Sequence, residues 1–147
     1  MKKLLIGMVL FCSLLYSDSF DDYLKSFDYE AIKDMKIKTV EMLNMLEDGT
    51  AQVIDIRFPE EFEAWHIGFA KNIPLNELPD RLAELDKSKL IITACPHNDR
   101  ANIARMFLML KGYKVRYLSD GLLTVTDYLK GANAKEFIEE YKKEKVK

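Results

Sequence analysis

The chain has no hydrophobic run long enough to cross a bilayer, no excess of basic residues, no internal repeat, and only two cysteines and two histidines in 147 residues. Each shortage closes a class of function. The longest apolar-leaning run, Leu4 to Tyr16, covers 13 positions, whereas a spanning helix needs ~20. A net charge of −2 provides no basic footprint for nucleic acid, and without repeats or low-complexity tracts there is no solenoid or disordered linker to consider. Cys95, His97 and His66 fall short of the roughly four ligands a closed zinc site takes, so no metal is expected.

What is present suits one globular domain: 48% of the residues are hydrophobic and 31% charged, with length enough for a real core. Met1-Lys2-Lys3 ahead of the apolar run has the charge order of a signal peptide, residues 1–19, cut near Ser17 or Ser19. This predicts a periplasmic or secreted protein. Residues 20–35 follow as an N-terminal extension whose Phe20, Tyr23, Leu24, Phe27, Tyr29 and Ile32 are expected to pack on the domain. Cleavage removes Cys12 and leaves Cys95 alone. A single thiol in an oxidising compartment cannot be an internal staple, so it is either buried and inert or exposed and used.

Along the domain, helical and strand patterns alternate. Thr39 reads as the N-cap of a helix from Val40 to Leu46 that Asp48-Gly49 ends, and Val53 to Ile56 reads as a strand. Pro59 opens a short helix with Glu60 and Glu61 in its first turn, which is good N-terminal chemistry in itself. A helix is expected around Leu75 to Leu85, then the strand Leu90 to Ala94. The next helix runs from Arg100 or Ala101 to Lys111, with Arg105 on its surface and Met106 and Met109 filling the core. The strand Val115 to Leu118 follows. Residues 132–147 form a charged C-terminal helix laying a narrow stripe of Phe137, Ile138 and Tyr141 on the domain. The alternation predicts an α/β fold of three layers, a short, mainly parallel sheet with helices on both faces. Ligands of such sheets bind beyond the carboxyl ends of the strands, where Asp55, Cys95 and Ser119 to Gly121 fall.

The stretch Cys95-Pro96-His97-Asn98-Asp99-Arg100 joins the apolar strand to the following helix. A thiol there meets unpaired N–H groups and the positive end of a helix dipole, which lowers its pKa from about 8.5 toward roughly 7. A buried structural cysteine fits the bare pattern as well. Pro96 stops the strand ladder at the thiol. Asn98 tolerates positive φ. Arg100 brings a fixed cation for an anion or a thiolate. Asp99 would raise the thiol pKa if it faced inward, so it is expected to face solvent or a basic neighbour. His97 reads equally as pocket wall or as rim.

The loop Cys-x-x-x-x-Arg resembles the active loop of rhodanese-like sulfurtransferases, usually Cys-x-x-Gly-x-Arg-Ser, with Asn98 for the Gly and Ala101 for the Ser. Val53-Ile54-Asp55-Ile56-Arg57-Phe58-Pro59-Glu60-Glu61-Phe62 is similar to the family's Asp-x-Arg, Pro-Glu-Glu-Phe pattern. His66-Ile67 with Asn72-Ile73-Pro74 is similar to its next motif, and Gly112-Tyr113 with Val115 to Leu118 and Gly121 to its last strand and turn. The likeness covers about residues 36 to 131. Trp65, Gly68 and Phe69 stand where the family usually has Gly, Pro and Gly, and Asp120 replaces the first of two glycines.

The resemblance implies a rhodanese-like fold and a sulfurtransferase. Sulfane sulfur from thiosulfate or polysulfide would pass through a persulfide on Cys95 to a thiol or cyanide acceptor. It assigns Cys95 and Arg100 to catalysis, and Pro96, His97, Asn98, Asp99 and Ala101 to the loop that cradles the anion. Asp55 and Arg57 would support the loop or serve as a structural ion pair, and His66 would fix the turn after the short helix. It implies no cofactor beyond the covalent persulfide. A homodimer or a redox protein partner is the further expectation, and a sulfur-carrying or partner-binding module without turnover is the alternative. A phosphatase is disfavoured, because related phosphatases place five residues between Cys and Arg and this loop has four.

Overall fold

Short, largely buried stretches set the sheet. Lys36–Ile37 (β1), Ala51–Asp55 (β2), Lys71–Asn72 (β3), Leu90–Ala94 (β4) and Val115–Leu118 (β5) pair in the order β1-β5-β4-β2-β3, and every neighbouring pair is parallel. The computed structural model describes residues 20–146, so the leader expected over residues 1–19, with Cys12, lies outside the described residues. The chain divides after Ile32. In the first unit, residues 20–25 are helical; Phe20 stacks on Tyr23, and Tyr23 meets Phe27 edge-on. The helix Tyr29–Asp34 (α1) leads into the second unit, which holds the sheet.

Parallel strands joined by crossovers are covered on both faces, and the side chains show how. Along β4, Ile91 and then Cys95 face one way, while Ile92 and Ala94 face the other. On the second face, Thr39–Glu47 (α2), Gly121–Tyr128 (α5) and Gly131–Val146 (α6) bring Met42, Leu43, Leu46, Leu122, Val125 and Phe137 over Val53, Ile92 and Leu118. On the first face, Asp99–Leu110 (α4) brings Ala101, Ala104 and Leu108 over Ile54 and Ile91, and Leu78 and Leu85 extend that layer. Each fully buried Leu or Ile contributes about 1.5–3 kcal/mol relative to exposure, so the two layers hold the sheet from both sides. The three-layer α/β expectation is met.

Several local expectations are corrected. The helix expected from Leu75 to Leu85 is a pair of 3₁₀ turns, Leu78–Asp80 and Leu82–Glu84, because Pro79 has no N–H to continue an α-helix and its ring crowds the preceding turn. Thr39 is the first helical residue of α2 rather than its cap. Its N–H donates to Asp120 Oδ2 at 3.1 Å, while its buried hydroxyl has no hydrogen bond among the described residues. The substitution of Asp120 for a family glycine thus supplies the acceptor that α2 lacks locally. Arg105 is buried and not on the surface, while Met106 and Met109 are half-buried and not core. The inward stripe of α4 is Ala101, Ala104, Arg105 and Leu108, spaced i, i+3, i+4, i+7. Phe69, another departure from the family pattern, has its ring 5.2 Å edge-on to Phe137 and so docks α6, where Phe137 is buried and Tyr141 half-buried but Ile138, expected in the same stripe, is exposed.

Candidate active site

The carboxyl ends of β2 and β4 lie side by side, with Asp55 opposite Ala94 in register. From there the chain after β2 runs outward to β3, and the chain after β4 runs to β5 on the other side. In open sheets of this kind ligands bind where such connections diverge. Cys95, a free thiol, is the first residue past β4 and is fully buried. Asp99 begins α4 four residues later, and Thr93 Oγ1 donates to the Ala101 carbonyl at 2.8 Å, tying the first turn of that helix back to the strand.

The loop is fixed from one side by the junction of β5 and α5. The N–H groups of Leu122 and Leu123 donate to the carbonyls of Cys95 at 2.9 Å and Pro96 at 3.4 Å, and Asn98 Nδ2 donates to the Ser119 carbonyl at 3.0 Å. Gly121 makes this approach feasible. Its φ is +73°, and a Cβ there would stand 2.3 Å from the Pro96 carbonyl oxygen. Asn98 has a negative φ of −153°, so the left-handed conformation expected of it is not used. The turn is supplied by neighbours instead.

From the other side comes Pro59–Ala64 (α3). Glu61 on this helix accepts from Arg100 Nη1 at 2.7 Å and Nη2 at 2.9 Å and from the Phe58 N–H at 3.2 Å. The Arg100 hydrogen bonds hold the Glu61 carboxyl down at about 2. The cation expected to face the thiol is therefore engaged by a carboxylate that sequence reasoning had assigned only to helix capping. Beneath lies a second pair. Arg57 Nε and Nη2 donate to both Asp55 oxygens at 2.6–3.0 Å, Nη1 and Nη2 donate to the carbonyls of Glu61 and Trp65, and the guanidinium lies 4.0 Å over the Trp65 ring. Neither residue is exposed. Asp55 and Arg57 are structural, anchoring α3 to the sheet. His66 Nδ1 lies 3.0 Å from the Phe62 carbonyl and the ring stacks on Phe62, which places it in the turn after α3.

Asp99 meets its expectation only in part. It is exposed, but it does not point away: Sγ of Cys95 donates to Oδ1 at 3.6 Å. The backbone N–H of Arg100, above all, holds this carboxyl below its usual range, and the Asp99 N–H adds to the effect. Burial pushes the Cys95 thiol up, and the Asp99 charge pushes the same way, while the N–H groups of Ala101 and His97 pull against them. Burial and the Asp99 charge thus oppose the lowering of the thiol pKa that the helix N-terminus alone would give. His97 is exposed, on the rim. No cluster of metal-ligating groups occurs among the described residues, and none of their helices is long and apolar enough to cross a membrane.

Residues 38–127 match the rhodanese-like domain family. An HTH-type transcriptional regulator of Mycobacterium tuberculosis is 39% identical over 93 residues, 59% of this chain and 39% of the regulator. The thiosulfate sulfurtransferase GlpE of Pseudomonas aeruginosa is 28% identical over 81 residues, 55% of this chain and 74% of that enzyme. Among solved structures, reduced CoADR-RHD of Bacillus anthracis matches with a TM-score of 0.55 at 37% identity, over 58% of this chain but 15% of that one. The human single-domain sulfurtransferase TSTD1 matches with a TM-score of 0.56 at 24% identity, over 63% of this chain and 96% of its own, a likeness of fold.

Proposed function

The chain belongs to the rhodanese-like domain family, and from that premise we propose that it is a sulfurtransferase that carries sulfane sulfur as a persulfide on Cys95. The observation that carries the reading is the position of Sγ, at the carboxyl end of the central strand and facing the N–H groups of His97 and Ala101. Those dipoles are fixed before any reaction and suit a sulfur that gains negative charge. With thiosulfate as donor, the Cys95 thiolate attacks the outer sulfur. The new S–S bond forms as the old one breaks, and sulfite leaves with the electron pair. An acceptor thiolate or cyanide then attacks the terminal sulfur and releases Cys95. Arg100, drawn off Glu61, holds the anion.

Export through the 1–19 leader belongs to the same proposal and rests on its charge order and length. A second reading, a sulfur-carrying or partner-binding module without turnover, draws on the Asp99 carboxylate at the thiol and on the match to a transcriptional regulator. The test is intact mass after incubation with thiosulfate or polysulfide, beside Cys95→Ser. One added sulfur atom, removed by cyanide and absent from the variant, is the expected result. Loading without multiple turnovers favours the carrier module, and no loading of a demonstrably free Cys95 sinks the proposal.

A further inference from the structure

The family match ends at residue 127, and α6, which begins at Gly131, adds a cleft that the sulfur chemistry leaves unused. About 490 Å³ opens between one flank of this helix, Leu129 and the turn Ile67-Gly68-Phe69, and no residue of the thiol loop lines it. Small-molecule sites span roughly 300–1,000 Å³. Gly68 helps to keep the space open. A Cβ there would meet nothing within 4 Å, at a position where the family usually has proline. The wall is set by packing before anything binds: Phe69 meets the rings of Phe137 and Tyr141 edge-on, and Phe137 stacks on Tyr141 with centroids 5.5 Å apart.

Polarity runs one way along the cleft. The lining positions 134, 138, 141, 142 and 145 of α6 share one face by helical spacing. Ala134 and Ile138 come first, and Ile138 is 41% exposed. Lys142 and Lys145 come last, and no carboxylate lines the cleft beside them. Lys145 lies 4.7 Å over the Tyr141 ring, and Lys142 is exposed. The carboxyl end of a helix carries about half a negative charge, which two lysines outweigh. A short acid would leave the apolar wall uncovered, and a neutral hydrocarbon would leave the cations unanswered. We propose that this cleft binds a single-chain amphipathic anion, an acyl chain with a carboxylate head. The chain lies along Leu129, Ile138 and Phe69, and the head meets Lys142 and Lys145. Cations at one end of the lining suit one such molecule taken from water rather than a bilayer surface.

Calorimetric titration of the purified protein with monomeric decanoate tests this, beside decan-1-ol, which has the same chain without the charge, and acetate, which has the charge without the chain. Decanoate is expected to saturate one site and to bind at least about threefold more tightly than decan-1-ol, the order for exposed ion pairs, while acetate gives no binding. Two variants locate the site, both at exposed positions, and urea melts check that each keeps the parent's stability. Ile138→Asp sets a like charge on the apolar wall and should weaken decanoate at least about tenfold. Lys142→Gln combined with Lys145→Gln should abolish the preference for decanoate and leave decan-1-ol within about twofold. No decanoate binding, or binding unchanged in both variants, overturns the inference. Sedimentation with phosphatidylglycerol vesicles but no heat with monomeric decanoate would give this face to a bilayer and overturns it too. Each of these outcomes leaves the sulfurtransferase reading where it stands.

Discussion

Two arginine–carboxylate pairs meet at Glu61, and they differ in what surrounds them. Arg57 and Asp55 are wholly buried, and the guanidinium also donates to two carbonyls and lies over Trp65. Arg100 and Glu61 make an equally good fork, yet their side chains are 31% and 37% exposed. Glu61 serves both, its carbonyl taking Arg57 and its carboxylate Arg100. A buried pair cannot be opened without stranding a charge, whereas a pair in water can exchange partners at little cost. One arginine therefore belongs to the fold, and the other is available for chemistry.

The largest effect that sharpens this contrast is expected from Arg57→Leu. It leaves the Asp55 carboxylate buried and unpaired, and should lower unfolding free energy in urea by about 3–5 kcal/mol. A loss under about 1 kcal/mol would erase the distinction. Next comes Gly121→Ala, at the backbone contact that holds the loop. A left-handed alanine costs about 1–3 kcal/mol, and its Cβ has no room beside the Pro96 and His97 carbonyls. The variant should be destabilised by at least that much and should also slow sulfur loading of Cys95, since the loop must shift. Unchanged loading kinetics would show that the β5–α5 junction does not position the thiol.

Much of this was legible in the chain itself. Short apolar runs mark β2, β4 and β5, the Cys95 to Arg100 spacing marks the loop, and Asp55 with Arg57 marks the buried pair. The two-residue strands β1 and β3 carry no period at all, and sheet pairing alone defines them. The partner of Arg100 is 39 residues away, and Glu61 also satisfies a local rule for helix starts, so nothing in its neighbourhood called for a second role. Asp99 fell outside sequence reasoning for a different reason. A carboxylate facing inward raises the thiol pKa, and that cost alone predicts a side chain turned to solvent or to a basic neighbour. The N–H groups of the first helical turn instead hold it within reach of Sγ. The signal was present, in an acidic residue at the first position of a helix that starts on a thiol loop.

The contrast can be tested from the exposed side with Arg100→Gln. Its stability cost should stay within about 1 kcal/mol, a shift of about 4 °C or less in melting temperature, while the rate of Cys95 persulfidation falls by at least about tenfold. A variant that loads sulfur normally would remove Arg100 from the mechanism.

The smallest effect is the most specific to the exposed pair. Arg100 holds the Glu61 carboxyl at about 2 against an ordinary 4.5, so the pair's contribution to folding is complete above about 4.5 and is lost as the pH falls through about 2. Partial exposure keeps that contribution below about 1 kcal/mol. Comparing the protein with Glu61→Gln in denaturant melts isolates it, because Glu84, held near 2 by Arg81, titrates alike in both and cancels. The gap between the two should be constant from pH 7 to about 5 and narrow steadily below 4.5. A gap that stays constant down to pH 2.5 would mean that the carboxylate's charge does nothing for the fold. Arg100 would then be held by packing alone, and the ready exchange of partners that separates it from Arg57 would have no electrostatic basis.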